Sequence, residues 1–133
     1  MIQAKTAILS IVEVINGIFL LKLSAPEIAA AARPGQFVMV RCGGETVLPR
    51  PFSIHRAQDD CIMLLFTVVG EGTRWLSRRR KGEILDIFGP LGNGFTIHPE
   101  DRNLLLVAGG IGMAPLVFLA EKLALDGKTA TVI

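Results

Sequence analysis

A chain of 133 residues makes one ordinary domain, or one small domain with part of another, and is long enough to bury a core. Half its residues are hydrophobic, 20% are charged and the mean hydropathy is +0.49, which excludes intrinsic disorder and leads us to expect a surface that meets a partner. The net charge is +2, yet Arg74, Arg78, Arg79, Arg80 and Lys81 supply five of the fourteen basic residues, so basicity is local and lacks the broad, aromatic-studded face that nucleic-acid binding needs.

The opening stretch, MIQAKTAILS, has no charged start, apolar core and cleavage site of a signal peptide, and a cytoplasmic protein is expected. Ala7 to Ile15 and Ile18 to Leu23 are apolar, β-branched runs separated by Asn16-Gly17, a strong hairpin signal because both residues tolerate positive φ. Arg33-Pro34-Gly35 is a turn, and Gln36 to Arg41 is the strand after it. Pro49 and Pro51 bias their predecessors toward extended backbone and cannot donate to a ladder, which predicts an edge or bulged strand over Arg50 to His55. Gln58-Asp59-Asp60 turns the chain into a strand from Cys61 to Val69.

From Glu71 to Lys81 the pattern changes, and a short helix is predicted that Thr73 caps and that runs through Arg74, Trp75 and Leu76 into the basic residues. A strand over Glu83 to Phe88 precedes the loop Gly89 to Phe95. Six or so short strands with one short helix predict a small antiparallel barrel over residues 1–100. Around Asn103 the pattern changes. Leu104 to Ala108 is a continuous apolar strand, Gly109 to Gly112 a glycine turn, and Leu116, Leu119, Ala120, Leu123 and Ala124 recur at helical spacing up to Asp126-Gly127. Lys128 to Ile133 begins a second strand, so residues 101–133 read as the first β-α-β of a parallel α/β nucleotide-binding domain. This account of Leu104 to Ala120, broken by four glycine and proline residues, replaces a membrane span.

Three segments carry candidate chemistry. Arg50-Pro51-Phe52-Ser53 offers a fixed cation, an aromatic plate and a hydroxyl, the groups that a flavin nucleotide needs for its diphosphate, its ring and the reactive edge of that ring. Strand alternation sets Arg50 and Phe52 on one face and Ser53 on the other, so the three converge only if the strand is bulged or strongly twisted. Taken alone, a core phenylalanine beside a solvated arginine explains the same residues. Gly70-Glu71-Gly72-Thr73 leads from strand to helix, where backbone N–H groups and the Thr73 hydroxyl could cradle a phosphate, or simply make a capped turn. Gly109-Gly110-Ile111-Gly112 sits between a buried strand and an apolar helix, the context of a nucleotide turn, although it lacks the full G-x-G-x-x-G spacing.

Other chemistry is not indicated. Cys42 and Cys61 have no C-x-x-C spacing, which argues against a disulfide scaffold or a metal site. His55 and His98 stand singly and read as structural or exposed residues, and no hydrolytic triad or carboxylate pair is present, so no catalytic residue is assigned.

Pro34-Gly35-Gln36-Phe37, Arg50-Pro51-Phe52-Ser53-Ile54, Gly70-Glu71-Gly72-Thr73, Gly89-Pro90-Leu91-Gly92-Asn93-Gly94-Phe95 and Gly109 to Leu116, in this order, resemble the ferredoxin–NADP reductase superfamily across essentially the whole chain. Within it the sequence is most similar to the electron transfer subunit family of dihydroorotate dehydrogenase, with relatives in sulfide dehydrogenase, ferredoxin-dependent NADP reductase and hydrogenase complexes. The resemblance implies a Greek-key, six-stranded FAD-binding barrel. In it Arg50 meets the FAD diphosphate, Pro51 and Phe52 line the flavin and Ser53 approaches its N5 atom. Leu65, Phe66 and Thr67 match a strand on the adenine side, and Gly70, Gly72 and Thr73 match the phosphate loop. Gly109, Gly110, Ile111, Gly112 and Pro115 match the start of an NAD(P)-binding domain. It also implies NAD(P)H as electron donor, a [2Fe-2S] cluster, and a catalytic flavoprotein partner in a heteromeric complex of pyrimidine biosynthesis. Cys42 and Cys61 match none of the family's cluster ligands, and Phe66-Thr67 stands where the family often has an aromatic followed by Arg. A docking module that keeps only the barrel, and a homodimer, are the remaining alternatives.

Overall fold

The computed structural model describes residues 1–44 and 47–133. Strands β1 (Ile2–Ile15) and β2 (Ile18–Ser24) form the expected hairpin around Asn16-Gly17, with Gly17 at φ +80°. β1 begins five residues earlier than the apolar run, because it serves two partners: Ile2 to Ala7 pair with the last barrel strand and Ile8 to Ile15 with β2.

Helix α1 (Pro26–Ala31) follows, an element with no counterpart in the sequence reading. Six residues are too few for a visible period; what holds the helix is Pro26 in its first turn and Ile28, wholly buried in the barrel core. Next come β3 (Phe37–Val40), β4 (Arg50–Gln58), β5 (Cys61–Thr67), helix α2 (Glu71–Ser77) and β6 (Ile84–Leu91). Asp59 and Asp60, at φ 52° and 63°, make the β4–β5 turn, a conformation their short polar side chains tolerate.

The six strands close an antiparallel barrel in the order β1-β2-β5-β4-β3-β6. β4 therefore lies between β3 and β5 rather than at an edge, since closure removes edges. Its proline, Pro51, stands opposite Met39, one residue in from the end of the four-residue ladder with β3. The expected bulge is present, as a register shift between Ile54 and Arg56. β6 runs on through Gly89-Pro90-Leu91, which the sequence assigned to a loop, because Gly89 packs on β3: a Cβ there would stand 2.8 Å from Val38 Cγ1.

Inward residues alternate along β2 and β5, so Leu21, Leu23, Ile62, Leu64 and Phe66 fill the interior with Val38, Ile54, Leu76 and Ile87. Each such side chain stabilises the fold by roughly 1.5–3 kcal/mol on burial. α2 ends before the basic run: Arg78 is its C-cap, and Arg79 stacks over Trp75 (4.0 Å) and pairs with Glu83 (3.2 Å), closing the connection to β6.

Beyond the barrel, β7 (Asn103–Leu106) and β8 (Thr129–Val132) pair in parallel across α3 (Ala114–Leu125), the predicted β-α-β. The glycine turn forms a 3₁₀ turn over Gly110–Met113. Leu119 and Leu123 of α3 pack on Leu106, while Phe118 packs against the barrel core. Among the described residues no helix is long and apolar enough to cross a membrane.

Candidate cofactor site

Three of the segments singled out in the sequence stand on one strand or next to it. Arg50 opens β4, and its exposed side chain runs across Gly72 in the first turn of α2. A Cβ on Gly72 would lie 3.0 Å from Arg50 Nε and 3.2 Å from Cγ, so glycine is what lets the arginine stem settle there. The same hypothetical atom lies 3.6 Å from Cys42 Cβ, which makes Cys42 the floor beneath the pair. None of the ion pairs among the described residues involves Arg50.

The loop before α2 is tied together by local hydrogen bonds. The Thr73 hydroxyl accepts the N–H groups of Val69 (2.8 Å) and Gly70 (3.1 Å) and donates to the Gly70 carbonyl (3.2 Å). Thr73 is therefore the third helical residue reaching back, with Gly70 as N-cap, rather than the cap itself, and the helix starts three residues sooner than a Thr73 cap would allow. Its hydroxyl is committed to the loop and is not a free phosphate ligand. The first helical bond is Arg74 N–H to the Gly70 carbonyl, which leaves the N–H groups of Glu71, Gly72 and Thr73 without a partner inside the helix. Those donors and the Arg50 guanidinium form a donor set suited to a dianion.

The two aromatic residues of the expectation stand in the barrel core. Phe52 is 8% exposed and meets Phe66, itself 3% exposed, edge to face at 5.7 Å. Both belong to the barrel core, where burial of their rings stabilises the fold. Pro51 is exposed, and Ser53, Leu65 and Thr67 are half-buried on the outer side of the alternation. The β4 bulge lies after Ser53, so it does not bring Arg50, Phe52 and Ser53 onto one face.

The glycines fall into two groups. Gly35, Gly89, Gly92 and Gly94 are crowded: a Cβ on Gly35 would sit 2.9 Å from Phe95 N, and one on Gly94 3.0 Å from the Pro34 carbonyl oxygen. These motif glycines serve packing, with buried Gln36 tying the two loops together by donating to the Gly92 carbonyl (3.0 Å) and accepting from Arg33 N–H (2.8 Å). Gly109, Gly110 and Gly112 face open space, and Gly110 alone of the three needs glycine, at φ +55°. Ile111 is exposed beside them and Pro115 half-buried in the first turn of α3.

Sequence reasoning reads His55 as structural or exposed and gives Cys42 no role at the site, yet both stand beside it. Buried His55 bonds through Nδ1 to the Ala114 carbonyl (2.7 Å), and Cys42 lies under Arg50. Burial pushes the Cys42 thiol up to about 11, although the nearby Arg50 charge opposes the shift. A lone cysteine in a polar loop carries no signal of such a position. Among the described residues no cluster of His, Cys, Asp and Glu could hold a metal ion. Hollows of about 410 Å³, walled by Arg41, Pro49, Asp86 and Phe88, and about 460 Å³, walled by Gln58, Phe118 and Glu121, lie beside other residues than Arg50 and Gly72. Arg50 itself is exposed, so its side of the cradle opens to solvent.

No protein-family model matches the chain. Its overall architecture is shared with solved structures. It superposes on the NADH-dependent reduced ferredoxin-NADP oxidoreductase with a TM-score of 0.88 at 33% identity, over 97% of this chain and 47% of that one. It superposes on phthalate dioxygenase reductase with a TM-score of 0.80 at 19% identity, over 98% and 42% respectively, a likeness of fold alone. A closed six-stranded antiparallel barrel followed by a parallel β-α-β defines a ferredoxin–NADP reductase-like protein. In sequence the chain is 49% identical over 89 residues to the dihydroorotate dehydrogenase B (NAD(+)) electron transfer subunit of Caldanaerobacter subterraneus, covering 67% of this chain and 36% of the relative. It is 44% identical over 121 residues to that of Desulforamulus reducens, covering 88% and 46%. The chain belongs to the ferredoxin–NADP reductase superfamily and, within it, to the dihydroorotate dehydrogenase electron transfer subunit family; it spans half or less of the length of these two relatives.

Proposed function

We propose that the barrel binds FAD and that the chain acts in an electron-transfer oxidoreductase, between NAD(P)H and a partner redox protein. The observation that carries this reading is the exposed guanidinium of Arg50 lying on Gly72 at the first turn of α2. A cation above unpaired backbone N–H groups fits the FAD diphosphate. Arg50, Gly70 and Gly72 would hold the diphosphate, with Thr73 keeping their loop in shape. Ser53 would approach the flavin N5 atom, while Pro51, Leu65 and Thr67 would line the cofactor from the outer side of the sheet. Phe52 and Phe66 would support that wall from within. Gly109, Gly110, Ile111, Gly112 and Pro115 would receive the nicotinamide nucleotide, because open space above the turn admits a phosphate close to the backbone.

Bound FAD would supply the exchange between two-electron donors and one-electron acceptors. The chain's own groups bind it, orient it and screen one side of it from water. The partner that the sequence relatives favour is the catalytic flavoprotein of dihydroorotate dehydrogenase, in pyrimidine biosynthesis. The family's [2Fe-2S] cluster is assigned to no residue here, since Cys42 is buried and protonated and Cys61 lies apart from it on β5.

The test is FAD titration of the purified chain followed by flavin fluorescence and absorbance. Saturable binding that weakens in Arg50→Ala with an unchanged circular dichroism spectrum supports the reading. Protein that takes up no added FAD overturns it.

A further inference from the structure

The bulge in β4 does something that the cofactor reading leaves out. Where the register with β5 slips between Ile54 and Arg56, His55 has no cross-strand partner, and both Ile54 and His55 are buried. Ile54 enters the barrel core; His55 is directed instead to α3, where its Nδ1 donates to the Ala114 carbonyl at 2.7 Å. A carbonyl only accepts, so the proton sits on Nδ1. The next residue, Arg56, grips the same helix further along: Nε donates to Glu121 Oε1 at 2.6 Å and Nη2 reaches the same oxygen.

Ala114 and Glu121 are seven residues apart, two turns and about 10 Å along one side of a helix. Two adjacent side chains on a bulge thus hold one helix at two separated points. A single contact would leave it free to pivot, whereas two fix its axial position and its rotation. Ala114 directly follows the glycine turn, and His55 is two residues, or about 7 Å of strand, from Ser53.

We propose that His55 and Arg56 are positioning residues, a two-point clamp that sets the Gly109–Gly112 turn at a fixed place relative to Ser53, so that a nicotinamide bound at the turn reaches the flavin edge. This rests on the cofactor reading given above. The structural part stands without it: the clamp holds α3 and the turn against β4 whether or not FAD is bound.

The test compares wild type with His55→Phe, which has no donor, His55→Gln, which keeps one, and Glu121→Gln. Hydrogen exchange of the amides of 108–114 and 116 is followed alongside that of barrel amides in β2 and β5. Loss of the clamp is expected to speed exchange of the turn and the first turn of α3 about tenfold or more with the barrel unaffected, and His55→Gln is expected to restore most of the protection. Equal exchange in wild type and His55→Phe overturns the clamp. The second readout is the rate of flavin reduction by NADH or NADPH in FAD-loaded protein. The clamp predicts a lower rate in His55→Phe at unchanged FAD retention, and an unchanged rate overturns the positioning role. If wild type takes up no FAD, the cofactor reading and with it the positioning role fall, while the exchange result still decides the clamp itself.

Discussion

The Arg50 side chain lies across the Cα of Gly72, so close that a methyl group on Gly72 would come within 3.0 Å of Nε and 3.2 Å of Cγ. A strand residue and a helix residue twenty-two positions apart therefore act as one unit. Gly72→Ala is expected to separate stability from binding. Alanine favours the helix by up to about 1 kcal/mol, offsetting the crowding, while the displaced guanidinium lowers FAD affinity about tenfold or more. In an Arg50→Ala background the same change should leave affinity alone and raise the melting temperature. Additive losses of affinity across this double-mutant cycle would show that the two residues act independently.

Thr73→Val removes the hydroxyl that serves two N–H groups and one carbonyl in the loop before α2. We expect a loss of about 1–2 kcal/mol in denaturant unfolding, with Thr73→Ser close to wild type. Equal stability of all three proteins would mean that the loop holds its shape by other means.

The two groups of glycines should respond oppositely. Gly89→Ala forces a Cβ to within 2.8 Å of Val38 and 3.2 Å of the Phe37 carbonyl oxygen, and is expected to destabilise the barrel by about 1–3 kcal/mol. Gly109→Ala, at φ −118° and facing open space, should leave the melting temperature unchanged and weaken binding of NAD(P)H in a calorimetric titration. Unaltered binding would remove the turn from the nucleotide site.

Cys42 is expected to resist alkylation at neutral pH, where its thiolate fraction is on the order of 10⁻⁴ of the thiol, while half-buried Cys61 reacts first. Mass spectrometry of the labelled protein checks this. The folded thiol titrates near 11 and the unfolded one near its ordinary value of 9.0, so its contribution is complete below pH 9 and disappears as pH rises through 11. The loss is about 2–3 kcal/mol, to be read as the stability difference between wild type and Cys42→Ala from pH 8 to 11. A difference that stays constant over this range would contradict the buried, protonated thiol.

Local signals carried most of the architecture. Asn16-Gly17, the aspartate pair at 59 and 60, the alternation along β2 and β5 and the glycine turn before α3 each depend on neighbours in sequence, so composition and period were enough to place them. Helix α1 escaped because six residues show no period and Ile28 is held by the barrel interior. The passage of β6 through Gly89-Pro90-Leu91 escaped because its partner, β3, lies some fifty residues earlier.

The candidate site divides in the same way. Residue chemistry by itself marks Arg50, Gly72 and the turn at Gly109 to Gly112 as candidates for phosphates beside an ordinary structural reading, because charge and backbone freedom are properties of the residue. Which ring turns inward was decided by the barrel: alternation and core packing drew Phe52 and Phe66 inside and left Ser53 on the outer side. The meeting of Arg50 with Gly72 over Cys42, and of His55 with Ala114, exists only through closure of the barrel and docking of α3. Such contacts join positions twenty to sixty residues apart, and a chain's local grammar holds no record of them.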